Sequence, residues 1–447
     1  MSGHPSVVVA IPVKNEANCI AACLQALSAQ CDESGGPMPR DRFGVVLALN
    51  NCSDGTAEIV RSIQDSLPFT MWLLERDLAP EMAHAGGARK IAMDAAADLA
   101  ASSDRAEAGV ILTTDADGRV GPRWIAANLA AIDAGVDLVA GFVQADPHEH
   151  ALLPAALIER GRLESRYEWL LAELIARLDP DRVDPWPNHR AESGASLAIT
   201  LDAYRRVGGV SAIPTGEDRA LAASVRLAGG RVRHSLAAQV LVSCRLDGRA
   251  AAGMAATIKQ RILEPDLACD SALEPADRVW LRGRLRAVLR HRHRQGRFGL
   301  AAPWVAKLGL DLAEADGITE TGQFIATWAA LERASPALAY RPLTPRQLPG
   351  QIAAAEAILR KLRAKPVRRR PTEYVDPILL RTGLKHDLRN SAGGIDEALR
   401  HLVAAQGIVG PASPVDEDDI PARGHGLRGE LGHELEIAGA PVVRDLR

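Results

Sequence analysis

Residues 108–118 read AGVILTTDADG, an apolar run that leads directly into two carboxylates. A short continuous apolar run of this kind predicts a strand that is buried on both faces. Side chains two positions apart on a strand point to the same side, so Asp115 and Asp117 are expected to lie together at its carboxyl end. Neighbouring carboxylates repel each other unless a cation lies between them. The pair therefore predicts a Mg²⁺ or Mn²⁺ site, and the alternative is a loop in which both residues only cap a turn.

Similar apolar runs recur along the first half of the chain, with helical stretches between them. Strands are predicted over 6–12, 43–50, 69–74, 108–115, 136–143 and 195–200, and helices over 16–29, 54–66, 86–101, 151–178 and 217–229. This alternation predicts an α/β fold, with a mostly parallel sheet and helices on both faces. Ligands of such sheets bind at the carboxyl ends of the strands, so the residues that follow the strands are the functional candidates.

The strand pattern stops near residue 250. Residues 251–363 have a helical pattern that includes the basic run RHRHRQGR at 290–297, and residues 364–447 form a mixed, partly disordered tail by composition. We expect a catalytic α/β domain over 1–250, a helical region and this tail. The basic run predicts a solvated helix face, or a surface that attracts an acidic acceptor or a membrane.

Composition excludes several classes of protein. The 447 residues are 47% hydrophobic and 24% charged, with a net charge of −3, as in ordinary globular domains and unlike nucleic-acid-binding proteins. The six cysteines lack zinc or disulfide spacing, which favours free thiols in the cytoplasm. No uncharged apolar run is long enough to span a membrane, which leaves only peripheral membrane contact open.

Polar residues follow the first two predicted strands. They are Pro12, Lys14, Asn15 and Glu16 in IPVKNE, and Asn50, Asn51 and Asp54 in LNNCSDGT. At the carboxyl edge of a parallel sheet they would meet a nucleotide base or ribose; taken singly, each stretch also fits an ordinary loop.

Glycines open the predicted helix at HAGGARK, where Gly86 and Gly87 precede Arg89 and Lys90. Paired glycines let a backbone approach a ligand closely, and free N–H groups at a helix start attract phosphate. We expect the two basic side chains to add positive charge there.

Glu217 and Asp218 begin another predicted helix, in GEDRAL. Acidic residues in a first turn favour the helix dipole, which is the structural alternative. A carboxylate at this position also suits a general base that takes a proton from an attacking hydroxyl.

Together and in this order, these segments resemble the family 2 glycosyltransferases, which have the GT-A fold. The resemblance covers residues 6–250 and rests on VVVAIPVKNE, NNCSDGT, GGARK, DAD, and SGASLAITLDAYRRVGGV followed by GEDRAL. It implies a nucleoside-diphosphate sugar donor, a hydroxyl-bearing acceptor and an inverting mechanism. By the resemblance Asp218 is the base, and Glu217 supports it or contacts the acceptor. Gly194 lies in the acceptor-side segment, and Asp115 and Asp117 hold the metal on the donor diphosphate.

Three further features qualify this resemblance. Many family members carry an acid that contacts uracil where this chain has Asn50 and Asn51, so the donor base stays open. Arg245 and Arg249 are candidates to close over the diphosphate, or form a solvated pair. The candidates for acceptor contacts in the preceding loop, which also fits a plain surface segment, are His189, Arg190 and Glu192.

Other functions remain as alternatives at this level. A non-catalytic scaffold would not need the three aspartates, and a sugar-1-phosphate nucleotidyltransferase typically has a glycine-rich loop where this chain reads PVKNEAN. A dinucleotide-dependent enzyme would show G-x-G-x-x-G after a strand, and this sequence has none there. A metal-dependent glycosyltransferase is the hypothesis that the sequence favours.

Overall fold

The computed structural model describes residues 4–250, 253–297, 299–320 and 322–364. Eight strands form one sheet: β1 Val7–Val13, β2 Gly44–Asn50, β3 Thr70–Arg76, β4 Val110–Thr113, β5 Arg119–Val120, β6 Leu138–Ala145, β7 Leu197–Thr200 and β8 Val232–Val242. The strand order across the sheet is β3-β2-β1-β4-β7-β6-β8-β5. The α/β prediction is confirmed, and so is each strand predicted from an apolar run.

Helices cover the sheet and form the region that follows it. They are α1 Ile20–Ser28, α2 Thr56–Ile63, α3 Ala85–Ala101, α4 Trp124–Asp133, α5 Pro147–Ala151, α6 Ala155–Leu178, α7 Leu201–Arg206, α8 Glu217–Leu227, α9 Met254–Leu263, α10 Ala276–Arg294, α11 Ala302–Leu308, α12 Leu312–Thr319, α13 Phe324–Ala334 and α14 Leu348–Arg363. The single helix predicted over 151–178 is wrong at its start, because Pro154 separates α5 from α6.

Strand direction in the sheet is mixed. The pairs β1·β2, β1·β4, β2·β3 and β6·β8 are parallel, whereas β7 is antiparallel to both β4 and β6, and β5 is antiparallel to β8. Since β7 runs against β4, Leu197 at its start lies opposite Thr113 at the end of β4. This reversal brings the segment before β7 to the edge where β4 ends.

Two apolar cores lie on the two faces of the sheet. One face packs against α1, α2 and α4, and the other against α3, α7 and α8. Central strands such as β2 are buried along their whole length, which explains why their sequences are continuous apolar runs instead of alternating ones.

Two further cores lie among the helices. Residues of α6, α10 and α14 form one, and residues of α10, α11, α12 and α13 form the other. The helical pattern expected after residue 250 is therefore present in the described residues up to Ala364. The prediction for the tail concerns residues that, apart from Ala364, lie outside the described ones.

Candidate active site

Arg89 is the centre of the candidate site. Its side chain is only 5% exposed, and it donates to Glu217 Oε1 at 3.0 Å, Asp115 Oδ1 at 2.7 Å, Thr113 Oγ1 at 2.9 Å and the Gly194 carbonyl at 2.9 Å. Two ion pairs with buried or half-buried carboxylates raise the pKa of the guanidinium, which stays charged. The side chain thus joins the end of β4, the segment before β7 and the start of α8.

Gly194 is required by this arrangement. A Cβ atom at that position would lie 2.3 Å from Arg89 Cζ, which no side chain could accommodate without moving the guanidinium. Gly194 contributes its backbone to both neighbours, because its carbonyl accepts from Arg89 and its N–H donates to Asp218 Oδ2 at 2.9 Å.

The two acidic residues at the start of α8 differ in environment. Glu217 is buried and forms an ion pair with Arg89. Asp218 is half-buried and accepts hydrogen bonds from two backbone N–H groups, those of Gly194 and Arg219. Asp218 is therefore positioned by hydrogen bonds, and no ion pair within the described residues neutralises it. Its carboxylate is the one suited to accept a proton, and Glu217 acts structurally by fixing Arg89.

Asp115 and Asp117 lie where β4 ends, in a tight turn closed by Gly118 N–H donating to the Asp115 carbonyl at 2.9 Å. Their side chains are 36% and 21% exposed. Burial first, and then the charge of Asp115, raise the pKa of Asp117 well above its usual range. The two carboxylates repel each other, as the sequence predicts for a site that accepts a cation.

The donor set fits a divalent cation that is completed by outside ligands. Carboxylate oxygens are the ligand type that Mg²⁺ and Mn²⁺ prefer, and one oxygen of each aspartate is engaged by an arginine. Within the part of the chain that the structure describes, no group of three or more His, Cys, Asp or Glu side chains is arranged so that it could hold a metal ion by itself. Diphosphate oxygens and water would have to supply the remaining coordination positions.

Arg245 and Arg249 both turn back onto the loop after β1. Arg245 forms a two-point ion pair with Glu16 and contacts Asp117 Oδ2 at 3.0 Å, and Arg249 donates to the Asn15 carbonyl at 2.9 Å. Both arginines lie at the candidate site, as expected, but they are engaged by protein oxygens there. Glu16 itself is buried under Arg245.

The ends of β1 and β2 are cross-linked by polar contacts. Asn15 has a positive φ of 54° and its Oδ1 accepts from the Ser53 N–H at 2.8 Å; Asp54 accepts from the Ala17 N–H at 3.1 Å. Lys14 reaches the Ala83 carbonyl at 3.5 Å. These contacts bring the two predicted nucleotide-binding loops together at one edge of the sheet.

Pro12 and the two asparagines after β2 have distinct positions. Pro12 pairs with Ala48 in β2, beyond the part of β1 that pairs with β4, so it costs no hydrogen bond on that side. Asn51 exchanges side-chain hydrogen bonds with the backbone of Leu78, which fixes the loop after β3. Asn50 is buried, and its Oδ1 finds no partner among the described residues.

The glycine pair before Arg89 has a structural explanation that the sequence does not reveal. A Cβ on Gly86 would lie 1.9 Å from the Ile213 carbonyl oxygen, and one on Gly87 would lie 2.1 Å from that of Met82. The close backbone approach is therefore to the protein itself. Likewise Arg89 is a buried bridge and not an exposed cation, which corrects the expectation of free positive charge at that position.

Lys90 lies outside this cluster. Its Nζ pairs with Asp94 Oδ2 at 2.8 Å, and the other oxygen of Asp94 accepts from Tyr204. The structure therefore joins Lys90 to α7 and separates it from Asp115.

The loop before β7 carries a second buried cluster. His234 lies 2.7 Å from Asp184 and 3.5 Å from Glu192, and Glu192 also pairs with Arg226. Despite burial, Asp184 and Glu192 raise the pKa of His234, whereas burial lowers the pKa of His189 to about 3. Of the predicted acceptor contacts, Glu192 thus binds within this cluster, His189 is buried edge-on against the ring of His234, and Arg190 is exposed.

Sequence reasoning missed Thr113, Asp184 and Arg226. Thr113 is the last residue of β4 and binds Arg89, but a threonine at a strand end carries no distinctive pattern. Asp184 and Arg226 contact partners far away in sequence, so no local signal marks them.

The mixed sheet, with two aspartates at the end of its central strand and an acidic pair opposite them, is the GT-A-like arrangement that the sequence resemblance leads us to expect. Residues 8–167 match the family model described as glycosyl transferase family 2. The matched segment is a little over a third of the 447 residues, and over that segment the chain is similar to glycosyl transferase family 2. The matched segment contains Arg89, Asp115 and Asp117 but ends before Asp218.

Two solved structures illustrate the likeness to known proteins. The mannosyltransferase PcManGT from Pyrobaculum calidifontis, in complex with GDP-Man and Mn²⁺, aligns with a TM-score of 0.35 and 18% identity over 90% of this chain and 86% of that one. TarS 1–349 from S. aureus, in complex with UDP-GlcNAc, aligns with a TM-score of 0.40 and 16% identity over 81% and 93%. At these scores the likeness supports no statement about substrates. No curated protein matches the chain.

Among the described residues, no helix is both long and apolar enough to cross a membrane. The location of the protein in the cell stays a prediction.

Proposed function

We propose that the chain transfers a sugar, with inversion, from a nucleoside-diphosphate sugar to an acceptor hydroxyl, and that a divalent cation assists the reaction. One observation carries the proposal: Arg89 bonds to Asp115 on the expected donor side and to Glu217 beside the expected base. The residues assigned to the two substrates are thus held by one buried side chain.

Asp218 is the proposed general base. Direct displacement at an anomeric carbon needs a carboxylate on the side from which the hydroxyl attacks. Asp218 is half-buried, and two backbone N–H groups fix its oxygens at 2.9 and 2.7 Å. Glu217 suits this role less well, because it is buried and its Oε1 binds Arg89.

Asp115 and Asp117 are the proposed metal ligands. When bound, the cation would neutralise the charge that develops on the leaving nucleoside diphosphate. Arg245 contacts Glu16 and Asp117, so it lies next to one of the two aspartates that would bind the cation. We propose that the cross-linked loops after β1 and β2 hold the nucleoside, with Asn50 nearby.

The test begins with a thermal-shift screen of nucleoside diphosphates and nucleotide sugars, with and without Mn²⁺. A ligand that binds only the folded state raises the melting temperature by mass action. We expect one nucleotide to give a metal-dependent shift that Asp117→Ala loses and Asp104→Ala retains. Asp104 is an exposed aspartate after α3, so it provides the matched control.

Product analysis then tests the stereochemistry. With the donor identified, we expect ¹H NMR to show that the product has the anomeric configuration opposite to that of the donor. Retained configuration would rule out direct displacement with Asp218 as base. A shift that persists in Asp117→Ala, or that needs no metal, would remove the cation from the proposal.

A further inference from the structure

A cavity of about 320 Å³ lies at the far end of α8 from the candidate active site. Arg226 in the last turn of α8 and the segment Gly229–Val232 form one wall, and residues of α10 and α13 form the other. Glu217 opens α8 and Arg226 is near its end, so the cavity lies roughly 13 Å along the helix from the proposed catalytic acids. It is a separate site.

The lining of this cavity is strongly basic. The arginines that line it are Arg226, Arg231, Arg286, Arg290 and Arg294. Among the lining residues the only carboxylate is that of Asp181. The carboxylates that pair with these arginines elsewhere, Asp179, Glu192 and Asp137, do not line the cavity. The surface that a ligand meets is therefore positive.

The positive charge is only partly compensated. Arg286 and Arg290 share the buried Asp179, at 2.7 and 2.9 Å, and Arg290 also pairs with Asp181 at 3.3 Å. Burial, and then the closeness of Arg290, lower the pKa of Arg286. Arg294 is exposed at the cavity and has no ion-pair partner in the described part of the chain. Crowded guanidinium groups of this kind are stabilised by an anion that bridges them.

One wall of the cavity is apolar. Phe324 and Ile325, at the start of α13, line it beside the arginines. The guanidinium carbons of Arg286 and Arg290 lie 5.4 and 5.2 Å from the centroid of the Phe324 ring, which is within the range of a cation–π contact. The ring thus holds these two arginines in place and offers apolar surface next to them.

We propose that this cavity binds a small phosphate ester, with its phosphoryl group among the arginines and its organic part against Phe324 and Ile325. Arginine presents paired N–H donors that match phosphate oxygens, and the cavity volume is that of a small-molecule site. The basic run at 290–297 then has a role, because Arg290 and Arg294 belong to the cavity.

The test is calorimetric titration of the full-length protein with inorganic phosphate, glucose 1-phosphate and succinate. The variant is Arg231→Glu with Arg294→Glu, since both side chains are exposed and their replacement spares the core. The matched control is Arg284→Glu, an exposed arginine of α10 outside the cavity. We expect glucose 1-phosphate to bind the wild-type protein. Its affinity for the double variant should be lower by roughly tenfold or more, and its affinity for the control should equal that for the wild type.

The three probes separate the possible sources of the anion. Tighter binding of glucose 1-phosphate than of inorganic phosphate supports a phosphate ester as the ligand. Equal binding of the two would contradict the ester and leave only a site for free phosphate. Three results would overturn the proposal. They are equal binding to the double variant and the wild type, no binding to the wild type at millimolar ligand, and tighter binding of succinate than of either phosphate compound. None of these outcomes depends on the activity proposed for the sheet domain.

Discussion

Asp218 and Glu217 are adjacent residues with different expected roles. Asp218 accepts two backbone hydrogen bonds, and asparagine can still accept the bond from Gly194 through its amide oxygen. We therefore expect Asp218→Asn to lower kcat by about 10²- to 10⁴-fold, because the base is lost, while the melting temperature falls only slightly, since just the hydrogen bond from the Arg219 N–H is given up. Steady-state kinetics and calorimetric melting check this. Full activity in Asp218→Asn would mean that another group takes the proton.

Glu217→Gln should mainly lower the stability of the fold, whereas Asp218→Asn should mainly lower activity. Glu217 and Arg89 are both about 5% exposed, so loss of the carboxylate charge leaves a buried guanidinium poorly compensated. We expect a loss of roughly 3 kcal/mol or more in the free energy of unfolding, measured by urea denaturation. The control is Glu58→Gln, which removes an exposed helical ion pair at 4.0 Å and should cost less than about 1 kcal/mol. Equal effects at the two sites would contradict the buried-bridge role.

At the scale of elements, α3 and α6 each contain a glycine that tests local packing. A Cβ at Gly86 would meet the Ile213 carbonyl oxygen at 1.9 Å, whereas Gly161 has open space around it. We expect Gly86→Ala to destabilise the protein by about 1–3 kcal/mol, and Gly161→Ala to stabilise it by up to about 1 kcal/mol. Denaturant titrations measure both. Stabilisation by Gly86→Ala would show that the contact with residue 213 is dispensable.

Most elements of the sheet could be predicted from local sequence, because a strand buried on both faces must be a continuous apolar run. The direction of β7 could not, since pairing depends on how the chain crosses from α6 and not on the sequence of the strand itself. The break at Pro154 was visible in the sequence, yet the apolar spacing on both sides of it suggested one helix.

The candidate site was predictable in its residues but not in its connections. Asp115, Asp117 and Asp218 stand at the ends of predicted elements, where polar residues are conspicuous. Arg89 looks the same in sequence whether it faces phosphate or lies buried against Glu217, because its partner is 128 positions away. Arg245, too, meets Glu16 only through the fold.

For the whole molecule, the question is whether the sheet and the following helices unfold together. α6 lies before residue 250, yet it shares one apolar core with α10 and α14, where Leu359 is fully buried. We expect Leu359→Ala to cost about 2–5 kcal/mol and to shift one common transition. Far-UV circular dichroism and tryptophan fluorescence, followed during urea denaturation, check whether the two transitions coincide. Two separated transitions would support an independent domain over 1–250.

The partners of Arg89 are synthesised at different times during translation of the chain. Asp115 leaves the ribosome about a hundred residues before Glu217, which is roughly 5–20 seconds at ordinary rates of translation. During that interval Arg89 has one of its two carboxylate partners, and for most of it β7, which follows Gly194, has not yet been synthesised. The buried position of Arg89 can therefore be completed only after α8 has been synthesised.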